Sequence, residues 1–139
     1  MPAFVVHEHH ASRLHFDVRL EMDGILASWA VPKGPSMNPH DKRLAIHVED
    51  HPLSYASFEG VIPENHYGAG HVYIWDHGTY DLVSGSVRAG RIAFVVQGKK
   101  LNGRFTLVRM KGTEKEWLLI KANDRFADPS FVLKTVHPV

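Results

Sequence analysis

Residues Leu14 to Glu21 alternate strictly between apolar and polar side chains. An extended strand repeats every two residues, so Leu14, Phe16, Val18 and Leu20 share one face and His15, Asp17, Arg19 and Glu21 the other. The polar face carries an imidazole, two carboxylates and a guanidinium, and His9 lies six residues upstream of His15. Two imidazoles and a carboxylate, here His9, His15 and Asp17, form a facial set for a divalent first-row metal and leave positions open for water and substrate. His7 and His10 flank the set, and either could stand in for His9. In an extended strand His7 and His9 share a face and His10 points the other way. Arg19 offers a planar fork that grips phosphate or carboxylate bidentately, or else a salt bridge to Asp17 or Glu21. Glu21 has three roles open to it: accepting a hydrogen bond from a sugar hydroxyl, supporting the metal ligands, or neutralising Arg19.

A second set follows at His51-Pro52 and Tyr55. Pro52 stiffens the backbone just after His51, and Tyr55, four residues on, could reach the same site. His51 titrates near working pH and can donate to a phosphoryl oxygen or a leaving group; the alternative is a capped loop histidine. Lys33-Gly34-Pro35-Ser36 and Lys42-Arg43 place basic groups around one loop, which suits an oxyanion. Tyr67-Gly68-Ala69-Gly70 is a flexible turn, too short for a phosphate-cradling glycine loop. No Ser, Cys or Asp stands out as a nucleophile, which argues against a covalent intermediate.

The elements that must position these groups are short and β-rich: Ala3–His9, Leu14–Met22, Ile25–Val31, Leu44–Glu49, His71–Trp75, Thr79–Val83, Arg91–Val96, Arg104–Arg109 and Trp117–Lys121. Asp23-Gly24 between two alternating runs is a hairpin signal, and Asp76-His77-Gly78 and Asn102-Gly103 are further turn candidates. With no long amphipathic helix, the pattern predicts a mostly β fold, a single-domain compact β-barrel over residues 1–139 with short helices or loops at its rim. The polar strand face would open into a cleft rimmed by the loops at 32–43 and 51–70. Trp29, Trp75 and Trp117 sit in apolar runs and read as core.

At 139 residues and 44% hydrophobic content the chain can bury a real core. No apolar run reaches transmembrane length and no leader precedes the first strand, so a soluble cytoplasmic protein without membrane contact is expected. The absence of cysteine excludes disulfides, thiolate catalysis and Cys-ligated zinc, leaving His, Asp and Glu to hold any metal. The net charge of +1 conceals an asymmetry: residues 1–81 hold five Lys/Arg and eleven Asp/Glu, whereas 82–113 hold seven Lys/Arg and no acid. An acidic segment suits a cation and a basic one a polyanion, unless the two neutralise each other across the fold.

The runs His9-His10-Ala11-Ser12-Arg13-Leu14-His15-Phe16-Asp17-Val18-Arg19-Leu20-Glu21, Trp29-Ala30-Val31-Pro32-Lys33-Gly34-Pro35-Ser36, Val48-Glu49-Asp50-His51-Pro52-Leu53-Ser54-Tyr55 and Glu59-Gly60-Val61-Ile62-Pro63 together resemble one known family. It is the 3′-phosphoesterase domain of bacterial ligase D, the multifunctional end-joining DNA ligase, with its stand-alone relatives. Tyr67-Gly68-Ala69-Gly70 and Trp117-Leu118-Leu119-Ile120-Lys121 fit the same pattern in the same order. The resemblance implies a β-barrel with a polar cleft and a manganese-dependent DNA-repair hydrolase. Such an enzyme removes a 3′-terminal ribonucleoside and then the 3′-phosphate, leaving a 3′-hydroxyl on a primer-template. It implies His9, His15 and Asp17 as metal ligands, Arg19, His51 and Tyr55 at the scissile phosphate, and Lys33 and Arg43 in support of the phosphomonoesterase step. Partners implied are DNA or RNA-tipped DNA ends, a separate DNA ligase and end-binding proteins. Ligase-bound members carry an N-terminal arm that assists ribonucleoside removal; only eight residues precede His9 here, so the phosphomonoesterase step is expected to be the stronger. Two other readings fit the residues: a non-catalytic nucleic-acid end-binding module and a cupin-like small-molecule metalloenzyme.

Overall fold

A computed structural model describes residues 1–138. Its strands are β1 (Ala3–His10), β2 (Leu14–Met22), β3 (Ile25–Val31), β4 (Arg43–Pro52), β5 (Gly60–Ile62), β6 (Gly70–Ser86), β7 (Arg91–Gln97), β8 (Asn102–Arg109) and β9 (Glu116–Lys121). The hydrogen-bonded order β1-β2-β3-β4-β9-β8-β7-β6, with β6 pairing back to β1, closes an eight-stranded antiparallel barrel; β5 lies outside it along β6. Closure leaves the barrel strands no free edges, and the interior is filled by side chains. No helix among the described residues is long and apolar enough to cross a membrane.

The alternation in β2 decides what faces where. Phe16, Val18 and Leu20 enter a core that includes Phe4, Val6, Trp29, Phe94, Phe105, Leu107 and Trp117. His15, Asp17 and Arg19 therefore project from the outside of the barrel. That outer face is not left to solvent. A 3₁₀ turn, Leu53–Ser57, packs against β1, β3 and β4, so Phe4 to His9 in β1 are all buried even though their side chains alternate between faces. Asp23 and Gly24 close the β2–β3 hairpin with φ of 52° and 79°, the paired positive values of a type I′ turn.

Three sequence expectations are corrected. Asp76-His77-Gly78 is not a turn: β6 runs unbroken from Gly70 to Ser86, and Trp75 is an extra residue between the partners of Val6 and His7, a β-bulge. Asp76 resembles a turn residue because its carboxylate caps a different turn, accepting the backbone N–H groups of Lys99 (2.9 Å), Lys100 (3.1 Å) and Leu101 (2.8 Å). A side chain at Gly78 would collide with the Gln97 carbonyl on β7, so glycine is required there by close approach. Asn102-Gly103 likewise opens β8, paired with Gln97 and Val96, while the chain turns at 98–101. Finally, the 51–70 loop rims the cleft but the 32–43 loop does not. It packs beside the chain's end, where Asp128 donates to the Met37 carbonyl and Leu133 crowds Gly34. Trp29, Trp75 and Trp117 are core residues, as expected.

Because Asp76 is buried and caps three amides, Asp76→Ala is expected to lower the unfolding free energy by about 3 kcal/mol, with Asp76→Asn recovering part of it. Urea denaturation followed by tryptophan fluorescence reads both; an unshifted midpoint in the alanine variant refutes the capping role.

Candidate active site

β1, β2, β3 and β4 bring their outward side chains to one cavity of about 280 Å³, roofed by Tyr55, Ile62, Tyr67 and Gly68 from the 51–70 loop. At one end, His9 Nδ1 lies 3.1 Å from His15 Nε2 and 3.6 Å from Asp17 Oδ2, and the last two atoms are 3.3 Å apart. Neighbouring ligands of a tetrahedral or octahedral ion with bonds of about 2.1 Å sit about 3.0–3.4 Å apart, so the triangle has the size of a metal face. The donor chemistry fits as well. His15 Nδ1–H donates to the Arg13 carbonyl (3.3 Å), which leaves Nε2 facing Asp17, a donor while it carries a proton and a ligand when a metal replaces that proton. All three atoms are of metal-ligating type and lie within 4.8 Å of one another. Burial opposes charge on His15, but the hydrogen bond and charge of Asp17 outweigh it and raise its pKa. Burial also opposes the Asp17 carboxylate, yet His15, His9 and Arg19 together hold it far below the usual range. The other ring nitrogen of His9, Nε2, is buried without a partner among the described residues.

Beside this triangle stands Arg19, 3% exposed. Its Nε–H donates to His7 Nδ1 (3.0 Å), Nη1 to Ser28 Oγ (2.9 Å) and Nη2 to Asp17 Oδ2 (3.3 Å). Nη1 also lies 3.1 Å from His51 Nδ1, which in turn is 3.2 Å from the Glu49 carbonyl. The two contacts demand opposite roles of Nδ1. The charged donor is the nearer and stronger, so Nδ1 accepts from Arg19 and the ring proton sits on Nε2. Burial first, and then the Arg19 charge, lowers the His51 pKa and keeps the ring neutral. Tyr55 packs against His51 (4.8 Å between centroids) and over the Arg19 guanidinium (5.0 Å), and burial raises its pKa, so it remains a neutral phenol able to donate.

Of the residues singled out from sequence, His9, His15, Asp17, Arg19, His51 and Tyr55 all line the cavity. His10 points away, bonding the buried Glu8 carboxylate at 2.7 Å. Glu21 accepts the Ala3 backbone N–H (2.9 Å) and lines no part of the cavity. Lys33 is exposed beyond the end of β3, and Arg43, at the start of β4, pairs with Asp41 at 3.5 Å; neither lines the cavity. Two residues hold the site together in roles the sequence reading did not give them: His7, weighed there only as an alternative ligand to His9, and Ser28, not singled out at all. His7 joins Arg19 to the roof: its Nδ1 accepts from Arg19 while Nε2–H donates to the Phe58 carbonyl (3.1 Å). Its strand parity with His9 was the available signal; Ser28 offered none.

Comparison with known proteins decides the family. Residues 7–109 match the family model of the DNA ligase D 3′-phosphoesterase domain. The chain belongs to that family. It is 52% identical over 126 residues to the multifunctional non-homologous end joining protein LigD of Pseudomonas aeruginosa, covering 87% of this chain and 15% of that protein. It is 44% identical over 138 residues to the multifunctional non-homologous end joining DNA repair protein LigD of Mycobacterium tuberculosis (strain H37Rv), covering 98% of this chain and 18% of that protein. The chain thus spans less than a fifth of the length of these relatives.

Burial, reinforced by the Arg19 charge, lowers the His7 pKa from 6.5 to about 4. Neutral His7 stabilises the fold fully above pH 6.5, and that contribution is lost as pH falls toward 4, up to about 3 kcal/mol. In His7→Gln, whose amide keeps one acceptor and one donor but does not titrate, this acid-sensitive loss should disappear. Unfolding free energies at pH 7 and pH 4.5 test it; equal acid sensitivity in both proteins contradicts the assignment.

Proposed function

We propose that this chain, as one 3′-phosphoesterase unit, is a metal-dependent hydrolase of DNA 3′ ends in end joining. It removes a 3′-phosphate, and a 3′-terminal ribonucleoside where one is present, to leave a 3′-hydroxyl. The observation that carries this reading is one cavity holding a metal-sized triangle of His9, His15 and Asp17 next to a fixed guanidinium and a neutral imidazole. Membership in the ligase D 3′-phosphoesterase family points the same way. Manganese is the ion we assign, held by His9, His15 and Asp17, and when bound it supplies Lewis-acid polarisation of a phosphate oxygen.

The protein's own groups do the rest. Arg19, immobilised by His7, Ser28 and Asp17, presents fixed positive charge to the equatorial phosphate oxygens without reorganising. His51, with Nδ1 engaged by Arg19, offers its Nε2–H to a phosphoryl oxygen or the departing 3′-oxygen. Tyr55 adds a phenolic donor and, with Ile62, shields the site from bulk water. Lys33 and Arg43 lie outside this cavity, so we confine their part to substrate that extends past it toward the β3–β4 end. Glu21 acts by anchoring the start of β1. DNA or RNA-tipped primer-templates are the proposed substrates and the cytoplasm the compartment. A separate ligase and end-binding proteins are the proposed partners.

Labelled primer-templates ending in a 3′-phosphate or a single ribonucleotide, incubated with the protein and manganese, test the proposal. Both should convert to a 3′-hydroxyl, and a chelator should stop the reaction until manganese is restored. Alanine at His9 or His15, or asparagine at Asp17, should cut turnover by at least about 100-fold without loss of the folded state. Full activity in all three variants refutes the metal assignment, and DNA binding without any turnover by the wild-type protein leaves an end-binding module as the better account.

A further inference from the structure

The active-site cavity does not end at its rim. Val48, Glu49 and Tyr67 also line a groove that runs beside Ile46 and Val48 on β4 to Lys115; His47, whose ring stacks on Trp29 at the barrel mouth, and Glu114 join it to a second groove walled by Arg88, Arg109 and Lys111. From His51 to His47 is four residues, ~13 Å along an extended strand, or about four base-pair steps along a duplex axis. The acids on this path, Glu49 and Glu114, sit where one depression meets the next, and beyond them the far groove is basic. Tyr67, 81% exposed, stands at the mouth of the cavity as an aromatic surface on which a base can stack.

The basic segment 82–113 is divided by the fold. Arg88, in the β6–β7 turn, and Lys111, in the β8–β9 turn, come to one end of the barrel, where Arg109 N–H bonds the Gly90 carbonyl. Lys99 and Lys100 lie in the β7–β8 turn at the other end, and Arg104 is exposed on β8. Basic side chains are thus gathered along the path that leaves the active site as well as dispersed away from it.

We propose that this groove is the track for the phosphate backbone upstream of the 3′ end, with Arg88, Lys111 and Lys115 as its contacts. The inference rests on the 3′-end hydrolase reading and adds where the remainder of the substrate lies. It predicts that affinity grows with the length of nucleic acid behind the end and that salt weakens it through these three side chains.

The test compares 3′-phosphorylated duplexes of about 4 and about 12 base pairs, each closed at its far end by a hairpin loop so that the short one stays paired, with manganese, reading KM by turnover and Kd by fluorescence anisotropy across a salt series. The wild-type protein should hold the longer duplex about ten-fold more tightly. In Arg88→Ala/Lys111→Ala/Lys115→Ala that advantage should vanish, and the slope of log Kd against log salt should fall by about 2 to 3. Arg91→Ala/Lys99→Ala/Arg104→Ala removes the same charge from exposed positions off the track and should keep the length advantage. The proposal is overturned if the wild-type protein shows no length dependence, if the groove variant keeps it, or if both variants lose it equally. Groove-dependent binding without turnover would support the track and overturn the hydrolase reading.

Discussion

A guanidinium with 3% exposure is costly to bury unless most of its donors find partners and its charge is answered. Arg19 meets that requirement by drawing on four elements at once. His7 comes from β1, Asp17 from its own strand, Ser28 from β3 and His51 from β4. The rest of the site follows from satisfying this one group. Asp17, held ionised partly by Arg19, is the carboxylate toward which His9 and His15 converge. His7, kept neutral by burial and by Arg19, has a single tautomer to offer, and its remaining proton ties the roof at Phe58 to the wall.

The barrel makes this arrangement affordable in geometry. Its interior is packed with aromatic and aliphatic side chains, so β1 to β4 form a stiff wall, and polar groups on their outer face are held to the spacing of the sheet. A site built on paired strands keeps its ligands in register: His9 lies directly across from His15, and His7 across from Asp17. The covering loop then does what an open sheet face cannot, burying Asp17 and Arg19 in a charged cluster that would otherwise be solvated and loosely placed.

Much of this was legible in the chain. The alternation from Leu14 to Glu21 needs only strand parity to put His15, Asp17 and Arg19 together, and Asp23-Gly24 closes its hairpin because both residues take positive φ. Legibility failed where a residue serves something distant in sequence. Asp76 and Gly78 look like turn residues, but one caps a turn more than twenty residues away and the other makes room for a neighbouring strand. Lys33 and Arg43 look like cavity residues because they are basic and near in sequence, yet the 32–43 loop packs toward the chain's end instead. Ser28 is an ordinary strand serine until Arg19 is placed beside it. Family resemblance added the expectation of an activity and of an ion, which spacing alone does not specify.

Crystals of the protein soaked in manganese and measured at a wavelength where manganese scatters anomalously address the central claim directly. A single anomalous peak among His9 Nδ1, His15 Nε2 and Asp17 Oδ2, with Arg19 still bonded to Asp17, is the predicted result. No peak there, or a manganese ion bound elsewhere while the triangle stays filled only by hydrogen bonds, would contradict it.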